Sequence, residues 1–159
     1  MVRLSESPDW LCAWATAILA GQSCGTHLAV MTGPYLDLLL DGTKTIESRF
    51  TKHRVAPFDR VAGGDVVFFK QASGPVTAVG LAGEVRNLDI HQISLQEIAA
   101  TYGSAIAPAD PSFWDERTQA RYVTLVAMTN VISLPPLAIR KRDRRGWVVL
   151  DYPWQQSLF

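Results

Sequence analysis

In the stretch Gly42-Thr-Lys44-Thr-Ile-Glu47-Ser-Arg49, an ammonium, a carboxylate and a guanidinium fall within six residues. Lys44 can bring a mobile point charge to a phosphate, a carbonyl or a base edge. Arg49 offers a planar fork for two acceptors. Glu47 can accept from an amino group, orient one of the cations or move a proton. As a catalytic set, Glu47 would activate water while Lys44 or Arg49 stabilises developing negative charge. The bland alternative is an ion network that ties a helix to a sheet.

Such groups are useful only if the chain holds them at one place. Leu36, Leu39 and Leu40 recur at helical spacing, after Thr32 as a candidate cap and Pro34 in the first turn. Gly42 can close that helix in the left-handed conformation. Residues 44–50 then read as partly extended. His27–Met31, Asp65–Lys70, Val76–Val85, Tyr122–Leu134 and Gly146–Leu150 read as strands. Gly80 and Gly83 are candidate bulges, and Pro135-Pro136 is expected to end the long strand. Ser94 with Glu97 three residues later predicts a helix start, and Gly103 its end. A second short helix is expected within Ser112–Gln119. Helices do not follow every strand, so the pattern predicts an α+β chain, a mixed barrel-like sheet with short peripheral helices.

Further residues qualify as ligand contacts. Tyr35 opens the helix before the charged stretch, and Lys52 and His53 follow it. Arg140, Lys141, Arg142, Arg144 and Arg145 precede Trp147, a spacing suited to a phosphate backbone with a stacking aromatic. A solvated loop beside a packed Trp147 is the alternative. His27 and His91 are read as structural.

Composition narrows the classes. The chain has 159 residues, with 48 % hydrophobic and 19 % charged, which suits one domain with a real core. A formal net charge of 0 argues against strong nonspecific nucleic-acid binding, but the basic residues cluster at 44–60 and 140–145. Two cysteines, Cys12 and Cys24, form no disulfide framework, and no metal-ligand spacing occurs. No cofactor is expected. Trp10–Ala20 is apolar but too short to span a bilayer, which takes about 20 residues. It reads as a packed helix, with a peripheral membrane contact or a protein-partner contact as the alternative. The expected location is the cytoplasm.

The charged stretch, the preceding Tyr35–Asp41 helix and the following Val61-Ala-Gly-Gly-Asp65-Val-Val-Phe-Phe resemble the signature of the ASCH domain, a PUA-like family. The resemblance covers about residues 27–150. It implies a PUA-like β-barrel over residues 26–159, with residues 1–25 as a helical extension. It also implies a cleft near the signature that binds RNA or a nucleotide-like small molecule. Relatives include RNA-binding modules, ribonucleases and enzymes that deacetylate N4-acetylcytidine. The deacetylating branch pairs the signature lysine with a threonine three residues later and a distant glutamate. Here the lysine is Lys44, the position three later is Glu47, and Glu84 or Glu97 could stand for the distant acid. The expectation is therefore RNA or modified-nucleoside binding, with hydrolysis of RNA or an acylated nucleoside as the first alternative and protein interaction as the second.

Overall fold

The structure, a computed structural model, describes residues 24–140 and 144–151. The expected N-terminal helix lies outside the described residues. Six strands form a strongly curled mixed sheet: β1 (Thr26–Met31), β2 (Ile46–Thr51), β3 (Val66–Gln71), β4 (Val76–Asp89), β5 (Tyr122–Leu137) and β6 (Trp147–Asp151). Their order across the sheet is β2-β5-β4-β3-β1-β6. Only β1 and β3 pair in parallel, and all the other neighbours are antiparallel. Among the described residues, three helices lie at the periphery: α1 (Tyr35–Asp41), α2 (Leu95–Ile106) and α3 (Ser112–Asp115). This is the α+β half-barrel that the strand pattern predicts.

The curl is built into β4 and β5. Their register slips between Val79 and Leu81 and again between Ala82 and Val85, around Gly80 and Gly83. Bulges bend a strand and increase its twist. A Cβ on Gly80 would lie 3.0 Å from both Met128 and Val131, so the backbone of β4 comes this close only because the side chain is missing.

Curling gives the sheet two buried faces. Val126, Met128, Phe69, Met31 and Trp147 share one cluster, closed by Leu36 and Leu39 of α1. Val123 and Leu125 point the other way and pack under α2 and α3 with Ile98, Ile106 and Phe113. Strand alternation sorts the side chains of β5 into these two clusters. Tyr35 packs against both.

Several boundaries differ from the sequence reading; β4, expected to end at Val85, runs on to Asp89 beside β5. Helix α1 is capped by Pro34, with no side-chain cap, instead of by Thr32. Helix α2 runs through Gly103 to Ile106, because one more turn buries Ile106 completely. Strand β5 continues through Pro135-Pro136 to Leu137. Its partner β2 pairs only with residues 122–127, so beyond them no described strand covers the outer edge. On the β4 side, the register jumps from Ala78↔Ser133 to Val76↔Leu137, and the prolines occupy the extra length.

Candidate functional site

Gly42 closes α1 at φ 82, the left-handed conformation that glycine adopts without penalty. The chain then turns onto the end of α2. The Lys44 backbone N–H bonds Leu38 O at 3.0 Å, and the Thr45 N–H bonds Ala105 O at 3.0 Å. The Lys44 ammonium donates to Ile46 O at 2.7 Å and to Ile106 O at 2.5 Å. Ile106 is the last residue of α2, so Lys44 satisfies a carbonyl that the helix leaves unpaired and sits at the negative end of its dipole. Burial holds the Lys44 pKa below the usual lysine range, against the pull of Glu47 in the other direction.

Strand β2 explains the second half of the motif. Glu47 and Arg49 are two apart on a strand and therefore share a face. They stand opposite Val126 and Thr124 of β5, on the concave side. Glu47 Oε1 accepts from Arg49 Nε at 3.0 Å. Arg49 also donates to Gly146 O and to Val30 O, both at 3.0 Å, and to Met31 Sδ at 3.4 Å. Val30 and Gly146 belong to β1 and to the entry to β6, while β2 is the opposite edge of the sheet. The Arg49 guanidinium thus bridges the opening of the half-barrel.

Lys44 Nζ stands 3.6 Å from Glu47 Oε2. The three charged groups converge, as the spacing suggests, and a cavity of about 300 Å³ opens on them. Aromatic side chains wall it. The Tyr35 ring lies 5.5 Å from Lys44 Nζ, and Phe113 meets Tyr35 edge-on at 5.6 Å. The Tyr35 hydroxyl donates to Asp110 Oδ2. Burial, and then that bond to a carboxylate, push its pKa up to about 12. Arg117 also lines the cavity, stacked with its Cζ 3.4 Å from the Phe113 ring centroid. Sequence reasoning missed Arg117 and Phe113. They lie far downstream on and just after α3, and no local pattern marks them.

A second cavity of about 770 Å³ adjoins the first, since Arg49 and Phe50 line both. Arg54, Arg60 and Arg145 line it with Trp147, and no carboxylate does among the described residues. The Trp147 ring is 3 % exposed. Its indole N–H donates to His27 Nδ1 at 3.1 Å, and the Arg49 guanidinium lies 5.4 Å from the ring centroid. Trp147 is therefore a fixed wall and not an open stacking platform. Because indole N–H only donates, His27 Nδ1 must accept, and Nε2 then carries the proton to Asp65 at 2.9 Å. Burial works to raise the Asp65 pKa, but His27 and the backbone N–H groups of Ala62 and Gly25 outweigh it and hold it low.

Among the sequence candidates, Tyr35, Lys44, Glu47 and Arg49 line the smaller cavity, and Arg145 and Trp147 line the larger. Lys52 and His53 are exposed just beyond β2 and line neither. Glu84 is 67 % exposed and paired with Arg86, and Glu97 is exposed on the first turn of α2, so neither reaches the cavity. No group of three metal-ligating side chains occurs among the described residues. Nor is any described helix long and apolar enough to cross a membrane.

Neither protein-family models nor curated proteins match the sequence. Among solved structures, the crystal structure of ASCH from Zymomonas mobilis superposes with a TM-score of 0.62, over 84 % of this chain and 92 % of that one, at 10 % identity. Two single-substitution variants of the same protein superpose at 0.61 and 0.62, again over 84 % of this chain. This chain has the ASCH fold. At such identity the likeness concerns the path of the backbone, the half-barrel with its short helices. It leaves the chemistry of the two cavities to be argued from this chain's own residues.

Proposed function

We propose that this protein recognises single-stranded RNA or a modified nucleoside within RNA, holding one base in the smaller cavity and the adjoining phosphates in the larger. The observation that carries this reading is the second cavity, where four arginines line about 770 Å³ with no carboxylate among the described lining residues, in a chain of net charge 0. Such a trough suits a polyanion. The smaller cavity, at about 300 Å³, is at the lower end of ligand-site sizes and suits one base or nucleoside. Recognition is favoured over hydrolysis by the way Lys44 and Arg49 are committed to backbone carbonyls. It is favoured also by the exposed positions of Glu84 and Glu97.

Titration with a short single-stranded RNA across a salt series tests the proposal. Phosphate contacts by Arg54, Arg60 and Arg145 would give log K a slope near −2 against log salt, at about 0.7 per contact. Arg54→Ala and Arg145→Ala should each flatten the slope by about 0.7. A salt-independent affinity, or slopes unmoved by both substitutions, would remove the trough from the account.

A further inference from the structure

At the Lys44–Glu47–Arg49 end of the smaller cavity, most donors are committed and one acceptor is to spare. Two of the three ammonium N–H groups of Lys44 are used on Ile46 O and Ile106 O. The third faces Glu47 Oε2 at 3.6 Å, beyond hydrogen-bond reach. Arg49, with five N–H groups, serves Glu47, Gly146, Val30 and Met31. Glu47 Oε2 itself is buried with no hydrogen-bond partner, on a side chain only 6 % exposed. Buried carboxylate oxygens are rarely left so, because the missing bond costs more than a made one returns. What Glu47 Oε2 lacks is an N–H donor within hydrogen-bond reach.

We infer that Glu47 selects the base: the smaller cavity takes a base whose edge carries an exocyclic amino group and discriminates against the oxo counterpart. This rests on the nucleotide reading above and deepens it. An amino group brings two N–H donors to the edge of the ring, and a carboxylate oxygen accepts one of them. An oxo group at the same place opposes its lone pairs to the carboxylate. In an oxo-pyrimidine the ring N–H lies between two carbonyls, so a carboxylate approaching it meets the same repulsion. The phosphate belongs to the arginine-lined cavity, and the two cavities meet at Arg49 and Phe50.

The inference has a signature that a merely structural Glu47 would lack. In Glu47→Gln, Arg49 Nε still requires an acceptor, so the amide oxygen stays at the position of Oε1. The amide N–H₂ then replaces Oε2, and the spare acceptor becomes a spare donor. Binding of the 5′-monophosphate pairs cytidine/uridine and adenosine/inosine is measured calorimetrically on wild type and E47Q. In at least one pair, wild type should favour the amino member by roughly tenfold, the scale of one hydrogen bond to a charged group. E47Q should reverse that order. The wild-type comparison requires no variant and stands even if E47Q fails to fold. Salt-dependent binding without an amino-over-oxo preference in either pair overturns the inference and leaves the nucleotide reading intact. A wild-type preference that E47Q retains overturns the role of Glu47. Absence of binding by all four nucleotides and by short RNA overturns both.

Discussion

Replacing Arg49 by methionine is expected to destabilise the protein much more than a surface charge change would. Arg49 is 18 % exposed, and its guanidinium makes one hydrogen bond to a carboxylate and two to backbone carbonyls. The carbonyls lie on β1 and beside β6, so the loss unties β2 from the far edge of the sheet. It also removes the hydrogen-bond donor to Glu47 Oε1, on a side chain that is 6 % exposed. Breaking one side of a buried ion pair costs about 3–5 kcal/mol. Methionine retains much of the apolar stem, and Lys44 remains near Glu47, so the lower end applies, about 3 kcal/mol. With a urea slope of about 2 kcal/mol per M, the unfolding midpoint should fall by about 1.5 M. Arg49→Lys should lose about half as much, because a single ammonium cannot serve both edges. Adding Glu47→Leu to Arg49→Met should recover about 1 kcal/mol or more, since it removes the stranded carboxylate. An Arg49→Met variant within about 0.5 kcal/mol of wild type would refute the bridge.

Tyr35 should ionise at about 12 while ordinary tyrosines titrate near 10, and the phenolate absorbance that disappears in Tyr35→Phe identifies it. The unfolded chain releases this proton first, so stability should fall from pH 10 towards 12, and less so in Tyr35→Phe. Asp65 is held low in the folded state, so its contribution is present above the ordinary carboxylate pKa and is lost as pH falls through the folded value. Asp65→Asn should therefore show a flatter loss of stability in acid, and an unchanged acid limb would count against the His27–Asp65 link. Gly103→Ala should stabilise by about 0.5–1 kcal/mol, because the new methyl meets Trp114 at an ordinary 3.6 Å inside a helix. Gly80→Ala should destabilise by about 1–3 kcal/mol, because the same methyl meets Met128 and Val131 at 3.0 Å. Thermal or urea unfolding checks both, and equal shifts would contradict the packing described.

The charged motif could be found in the sequence because its order is local. Gly42 ends a helix, and a two-residue spacing puts Glu47 and Arg49 on one face of a strand. What the two cations bind could not be read this way. Lys44 reaches the last carbonyl of α2, and Arg49 reaches Val30 and Gly146, partners that only the curl of the sheet brings near. Arg117 and Phe113 were invisible for the same reason. Local rules misplaced Pro135-Pro136 and Gly103 because tertiary context decided. An outer edge with no described partner strand, together with a bulge, accommodates the prolines, and the burial of Ile106 carries α2 past its glycine. The bulges at Gly80 and Gly83 were legible, since glycine inside a β pattern has few other causes.

The most direct test of a base-and-phosphate cleft is amide chemical-shift mapping by NMR during titration with a short single-stranded RNA. The account predicts that the shifts concentrate at Glu47, Arg49 and Phe50, where the cavities meet, and extend to Arg54 and Arg145 on one side and Tyr35 and Arg117 on the other. Shifts confined to other surfaces, with those seven residues unmoved at saturation, would contradict it.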